Sequence, residues 1–102
     1  MAEFLTVAKT GDVADNECIA VDVDGTPVAI ANVDGTLYAF DDTCTHRQCS
    51  LAEGELDGNV ITCPCHGSQF DVTSGDVLAA PAVEPVNTYP LRLEGDAIQI
   101  EI

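Results

Sequence analysis

Read from its N-terminus, the chain alternates short apolar runs with tight turn signals, and that pattern predicts strands. Phe4–Ala8 reads as a short edge strand running into a loop at Thr10-Gly11-Asp12. Cys18–Val23 reads as a strand, and Asp24-Gly25 after it is a hairpin turn signal. Pro27–Val33 is the expected partner, its proline at the first position, where no ladder donor is missed. Asp34-Gly35 turns the chain again into Leu37–Phe40, so three strands with two Asp-Gly turns describe a meander.

Further on, Leu51–Leu56 and Asp57-Gly58 lead to a strand over Asn59–Thr62. Gln69–Val72 and Asp76–Leu78 flank a turn at Thr73-Ser74-Gly75. Pro81, Pro85 and Pro90 mark crossover chain, and Thr88-Tyr89, Leu91–Leu93 and the cleanly alternating Ala97–Ile102 close with a hairpin. No 3.6-residue stripe lasts beyond a turn or two, so the expectation is an all-β domain, a small antiparallel sandwich or barrel.

Composition bounds the rest. At 102 residues and 46% hydrophobic content the chain suits one domain with one modest core. No apolar run approaches the ~20 residues of a membrane span, and Met-Ala-Glu-Phe lacks a signal peptide's basic start, so a cytoplasmic protein is expected, as a monomer. The formal charge is −15, with only Lys9, Arg47 and Arg92 positive. Such a surface repels nucleic acid and anionic membranes. It suits a basic protein partner or a high-salt cytoplasm, and the scarcity of lysine beside abundant Asp has that second reading independent of any partner.

Four of the five cysteines and both histidines fall between Cys44 and Ser68, in two boxes, Cys44-Thr-His46-Arg-Gln-Cys49 and Cys63-Pro-Cys65-His66-Gly-Ser68. Cys44 and His46 are two apart, so one extended or tightly looped segment can aim both at one ion or cluster. Cys63 and His66 are three apart, as a tight turn requires, with Pro64 and Gly67 as the fixed and permissive backbone positions. Two thiolates and two imidazoles allow tetrahedral zinc or an iron–sulfur centre. Zinc fingers pair Cys with Cys and His with His. Here Cys44 with His46 comes from one box and Cys63 with His66 from the other, which suits a two-iron cluster.

Cys-x-His, sixteen residues, then Cys-x-x-His resembles the Rieske iron–sulfur proteins, whose [2Fe–2S] centre carries two cysteines on one iron and two histidines on the other. The resemblance implies that Cys44 and Cys63 ligate the inner iron and His46 and His66 the outer one. It implies one [2Fe–2S] cluster per chain, and a base domain with a two-loop cluster-binding subdomain at about residues 43–70 within a single domain 1–102. In the Rieske proteins of cytochrome bc complexes, cysteines at the places of Cys49 and Cys65 form a disulfide. The dioxygenase ferredoxins usually lack them. The bridge is the expectation for this chain, because a tied loop pair shields the cluster and both residues appear together; two free thiols are the alternative, since cytosolic disulfides are uncommon. Ser68 matches a serine whose hydroxyl, in high-potential members, donates to a cluster sulfur. Phe70 stands where those members carry a donating tyrosine.

A cluster with four protein ligands has no open position for substrate, so the chain is expected to carry one electron and not to be an enzyme. Similarity to the dioxygenase systems implies a soluble ferredoxin between a flavoprotein reductase and a terminal, ring-hydroxylating type of oxygenase. The alternative is the small Rieske subunit of a reductase complex such as assimilatory nitrite reductase, bound to its large subunit. A third reading is a non-redox, metal-stabilised interaction module. Cys18 reads as a small core hydrophobe. Tyr38, Phe40 and Tyr89 read as packing. Arg47 reads as solvated, as a partner contact or as an electrostatic tuner of the cluster.

Overall fold

The computed structural model describes residues 4–44, 49–65, 67–80 and 84–101. Among the described residues eleven strands run in chain order: β1 (Phe4–Lys9), β2 (Cys18–Val23), β3 (Thr26–Val33), β4 (Thr36–Asp41), β5 (Glu55–Asp57), β6 (Val60–Thr62), β7 (Gln69–Asp71), β8 (Val77–Ala79), β9 (Thr88–Tyr89), β10 (Leu91–Glu94) and β11 (Ala97–Glu101). They form three antiparallel sheets, ordered β1-β11-β10, β2-β3-β4-β9 and β5-β6-β7-β8. The helical turns at Thr10–Asp12 and Leu51–Glu53 are single 3₁₀ turns. The chain is an all-β protein, as its alternation predicts.

The meander is built by its turns. Asp24 and Gly25 have φ of 53° and 88°, and Asp34 and Gly35 have 52° and 91°. Two successive positive φ values match the right-handed twist of the flanking strands, which is why Asp-Gly closes two-residue hairpins. The strand β3 begins one residue earlier than the sequence suggests, so Pro27 is its second residue, paired with Asp22. Its carbonyl accepts the Asp42 N–H at 3.2 Å.

Side-chain alternation along β3 decides where everything else packs. Val28 and Ile30 point to one face, into a core with Val13, Val23, Ile98 and Ile100. Ala29 and Ala31 point to the other, into a core with Leu51, Ile61, Phe70, Cys44 and Cys63. The middle sheet is thus covered by β1-β11-β10 on one side and by the β5–β8 sheet on the other. Phe40 and Phe70 are fully buried in the second core, and burying each contributes about 1.5–3 kcal/mol. Small alanines on that face of β3 leave room for the cysteine-bearing loops.

Two features went unread in the sequence. The strand β5 forms at Glu55–Asp57, paired to β6 through Glu55–Thr62, Leu56–Ile61 and Asp57–Val60. The chain at Val86 also lies across the turn at Gly75, where the Val86 N–H donates to the Gly75 carbonyl at 2.9 Å. Gly75 has a φ of 82°, and a Cβ there would collide with the Val86 carbonyl oxygen. Only glycine lets the two segments lie so close.

Candidate metal centre

The first cysteine box follows β4 of the middle sheet and the second follows β6 of the β5–β8 sheet, and Cys44 and Cys63 meet in the core between those sheets. The first loop is anchored by Asp42, which is 6% exposed. Its carboxylate accepts the Ala52 N–H at 2.9 Å and its carbonyl the Leu51 N–H at 2.7 Å. A bridge between Thr43 and Ser50 closes the loop, and the Cys44 N–H donates to the Cys49 carbonyl at 3.0 Å. The second loop is closed when the Cys63 N–H donates to the Ser68 carbonyl at 2.7 Å and the Gly67 N–H returns to the Cys63 carbonyl at 3.1 Å. Gly67 has a φ of 80°, a left-handed turn position that glycine adopts without strain.

Cys49 and Cys65 are joined in a disulfide, with Cα atoms 6.5 Å apart, which ties the two loops together. Cys44 and Cys63 are free thiols, each 2% exposed, and lie in one buried cluster with Leu51, Ile61 and Phe70. The Cys63 sulfur lies within 4.8 Å of both disulfide sulfurs. That trio is not itself a metal site, because two sulfurs bonded to each other have no thiolate to offer. Ser68 is fully buried. His46, Arg47 and His66 lie outside the described residues.

Two buried, unpaired thiols on loops held together elsewhere are a donor set that fits an iron–sulfur centre. The residues present fit a [2Fe–2S] group.

Sequence reasoning missed Asp42 as the anchor of the first loop. The available signal was the doublet Asp41-Asp42 directly before the cysteine box. Asp41 is equally engaged: its carboxylate accepts the Tyr89 hydroxyl and the Asn87 N–H, fastening the returning chain to β4. Burial, then the Asp41 hydrogen bond and charge, push the Tyr89 phenol up to about 12. Cys18 is half-buried against the same core as the cysteine loops. Burial and then the nearby Asp42 charge push its thiol up to about 12, so it behaves as packing.

Charge is unevenly placed. Lys9 and Arg92 both belong to the β1-β11-β10 sheet, across the middle sheet from the cysteines. The Arg92 guanidinium sits 4.2 Å over the Phe4 ring and donates to Gln99 at 2.7 Å. The β5–β8 sheet contains no cation. An open cleft of about 430 Å³ beside Cys63 is lined by Glu53, Glu55, Thr62, Pro64 and Gly67.

The Rieske [2Fe–2S] domain family matches residues 3–90. The ferredoxin component of the naphthalene 1,2-dioxygenase system of Pseudomonas putida is 32% identical over 100 residues, covering 98% of this chain and 96% of that protein. Among solved structures, the Sphingomonas yanoikuyae B1 ferredoxin superposes with a TM-score of 0.93 at 35% identity, covering 98% of this chain and 99% of that one. A chain in a complex of reduced oxygenase and oxidised ferredoxin from carbazole 1,9a-dioxygenase superposes with a TM-score of 0.90 at 34% identity, covering 95% and 91%.

Proposed function

This chain belongs to the Rieske [2Fe–2S] domain family, and from that premise we propose that it is a one-electron carrier delivering electrons from a flavoprotein reductase to a terminal, ring-hydroxylating oxygenase. The observation that carries this reading is the end-to-end likeness to ferredoxin components of dioxygenase systems, together with two buried free thiols on matched loops. Cys44 and Cys63 hold one iron of the cluster and His46 and His66 the other, within residues of about 43–70. When bound, the cluster supplies reversible one-electron chemistry and no open site for substrate.

The protein's own residues set the conditions for that transfer. Leu51, Ile61 and Phe70 surround the two thiols and exclude water from them. The two backbone-closed loops fix where each thiol stands, and the disulfide keeps the loops from separating. The acidic surface on this side of the middle sheet suits a partner with basic residues around its own electron-entry point. No helix among the described residues is long and apolar enough to cross a membrane; a monomeric shuttle in the cytoplasm is the form of this proposal.

The test is reconstitution. With a flavoprotein reductase and a terminal oxygenase of the dioxygenase type, catalytic amounts of the iron-loaded protein should restore electron flow to the oxygenase. Fresh protein lacking iron and labile sulfide, or electron flow unaffected by its omission, would overturn the assignment.

A further inference from the structure

We infer that Cys63, Cys49 and Cys65 form an intramolecular thiol–disulfide exchange device that latches the chain once its iron is lost. The inference rests on the reading of Cys63 as an iron ligand. The three sulfurs all lie within 4.8 Å of one another, two of them bonded and the third free. A thiolate beside a disulfide exchanges with it by attack on one sulfur and departure of the other. Bringing Cys63 and Cys49 to a bonding distance of about 2.05 Å requires closing by at most about 2.8 Å.

The step balances without a co-reactant. The Cys63 thiolate, released when iron leaves, attacks the Cys49 sulfur. The Cys63–Cys49 bond forms as the Cys49–Cys65 bond breaks, and the electron pair departs on the Cys65 sulfur. One disulfide and one thiolate are present before and after, so nothing is oxidised or reduced overall. While iron holds the Cys63 electron pair, the attack is closed.

Burial sets the direction. Cys63 is 2% exposed and Cys65 is exposed, so exchange moves the thiolate from a dry position to a hydrated one. Attack on Cys65 instead would leave the thiolate on half-buried Cys49. The loop closed by the disulfide changes only from a separation of 16 to one of 14, so chain entropy hardly opposes the exchange. The outcome consumes a cluster ligand. A chain that has lost its cluster is thereby held back from refilling until a small dithiol reduces the Cys49–Cys63 bond to two thiols, itself becoming a disulfide.

The experiment maps disulfides in the full-length protein before and after anaerobic iron removal with a chelator. Thiols are trapped by alkylation under denaturing conditions before digestion and mass spectrometry. Iron-loaded protein should give Cys49–Cys65 alone. After iron removal, Cys49–Cys63 and alkylated Cys65 should appear one for one, with one disulfide per chain throughout. Dithiol treatment should restore uptake of iron and sulfide, read from the visible absorbance, in chains that otherwise refuse it. Persistence of Cys49–Cys65 with Cys63 alkylated, or a new bond to Cys44, would overturn the device alone. Alkylation of Cys63 in native protein that keeps its iron would overturn the ligand reading and the device together.

Discussion

Cys44 and Cys63 stand at equivalent places in two loops, each donating its backbone N–H to the carbonyl five residues on, to Cys49 at 3.0 Å and to Ser68 at 2.7 Å. The repeat means that neither thiol depends on the other for its position. What holds the pair in register is the Cys49–Cys65 bond and the shared packing on Leu51, Ile61 and Phe70.

That division of labour makes the disulfide separable from ligation. Closing a loop with a sequence separation of 16 stabilises by about 3 kcal/mol in the chain-entropy account. Cys49→Ser should lower stability by about that amount in denaturant titration and speed iron release, while a cluster still assembles. Because one bond is broken either way, Cys49→Ser with Cys65→Ser should cost no more than either alone. Single variants as stable as the parent would show that the bond constrains nothing.

Alkaline stability should depend on Cys18 and Tyr89. In the folded protein both titrate at about 12, above ordinary values of 9.0 and 10.0. Between those limits the unfolded chain has released its protons and the folded chain has not, so stability falls as pH rises. Below about pH 9 both contributions are fully present. Cys18→Ala should remove one proton from the slope of stability against pH starting near 9, and Tyr89→Phe one starting near 10. Denaturation midpoints across that range check it, and unchanged slopes in both variants would refute the burial argument.

The hairpins and the two boxes were legible because their causes are local. An Asp-Gly pair specifies positive φ at both turn positions wherever it lies, and ligand spacing specifies which residues can share an ion. The rest depends on contacts between distant residues. The strand β5 is three residues with only Leu56 apolar, and it exists because β6 offers it a ladder. Gly75 carries no local signal beyond a turn, since the need for glycine comes from Val86, eleven residues later. Asp42 looks like any surface carboxylate until the Leu51 and Ala52 N–H groups are placed against it.

Ser68 and Phe70 bear on the potential. Both are fully buried, and Phe70 packs in the cluster that contains Cys44 and Cys63. A hydrogen bond toward sulfur favours the reduced, more negative centre. One such bond of roughly 1 kcal/mol corresponds to about 40 mV for one electron. Ser68→Ala should lower the potential and Phe70→Tyr raise it, each by tens of millivolts in voltammetry. No response to Ser68→Ala would remove the hydroxyl from the account.

The central claim is the ligand set Cys44, Cys63, His46 and His66, and the magnetic resonance of the reduced protein tests it most directly. Anaerobically reduced protein should show hyperfine coupling from two histidine nitrogens, and His46→Cys should leave one. Two couplings surviving that substitution, or zinc in place of iron in freshly prepared protein, would contradict it.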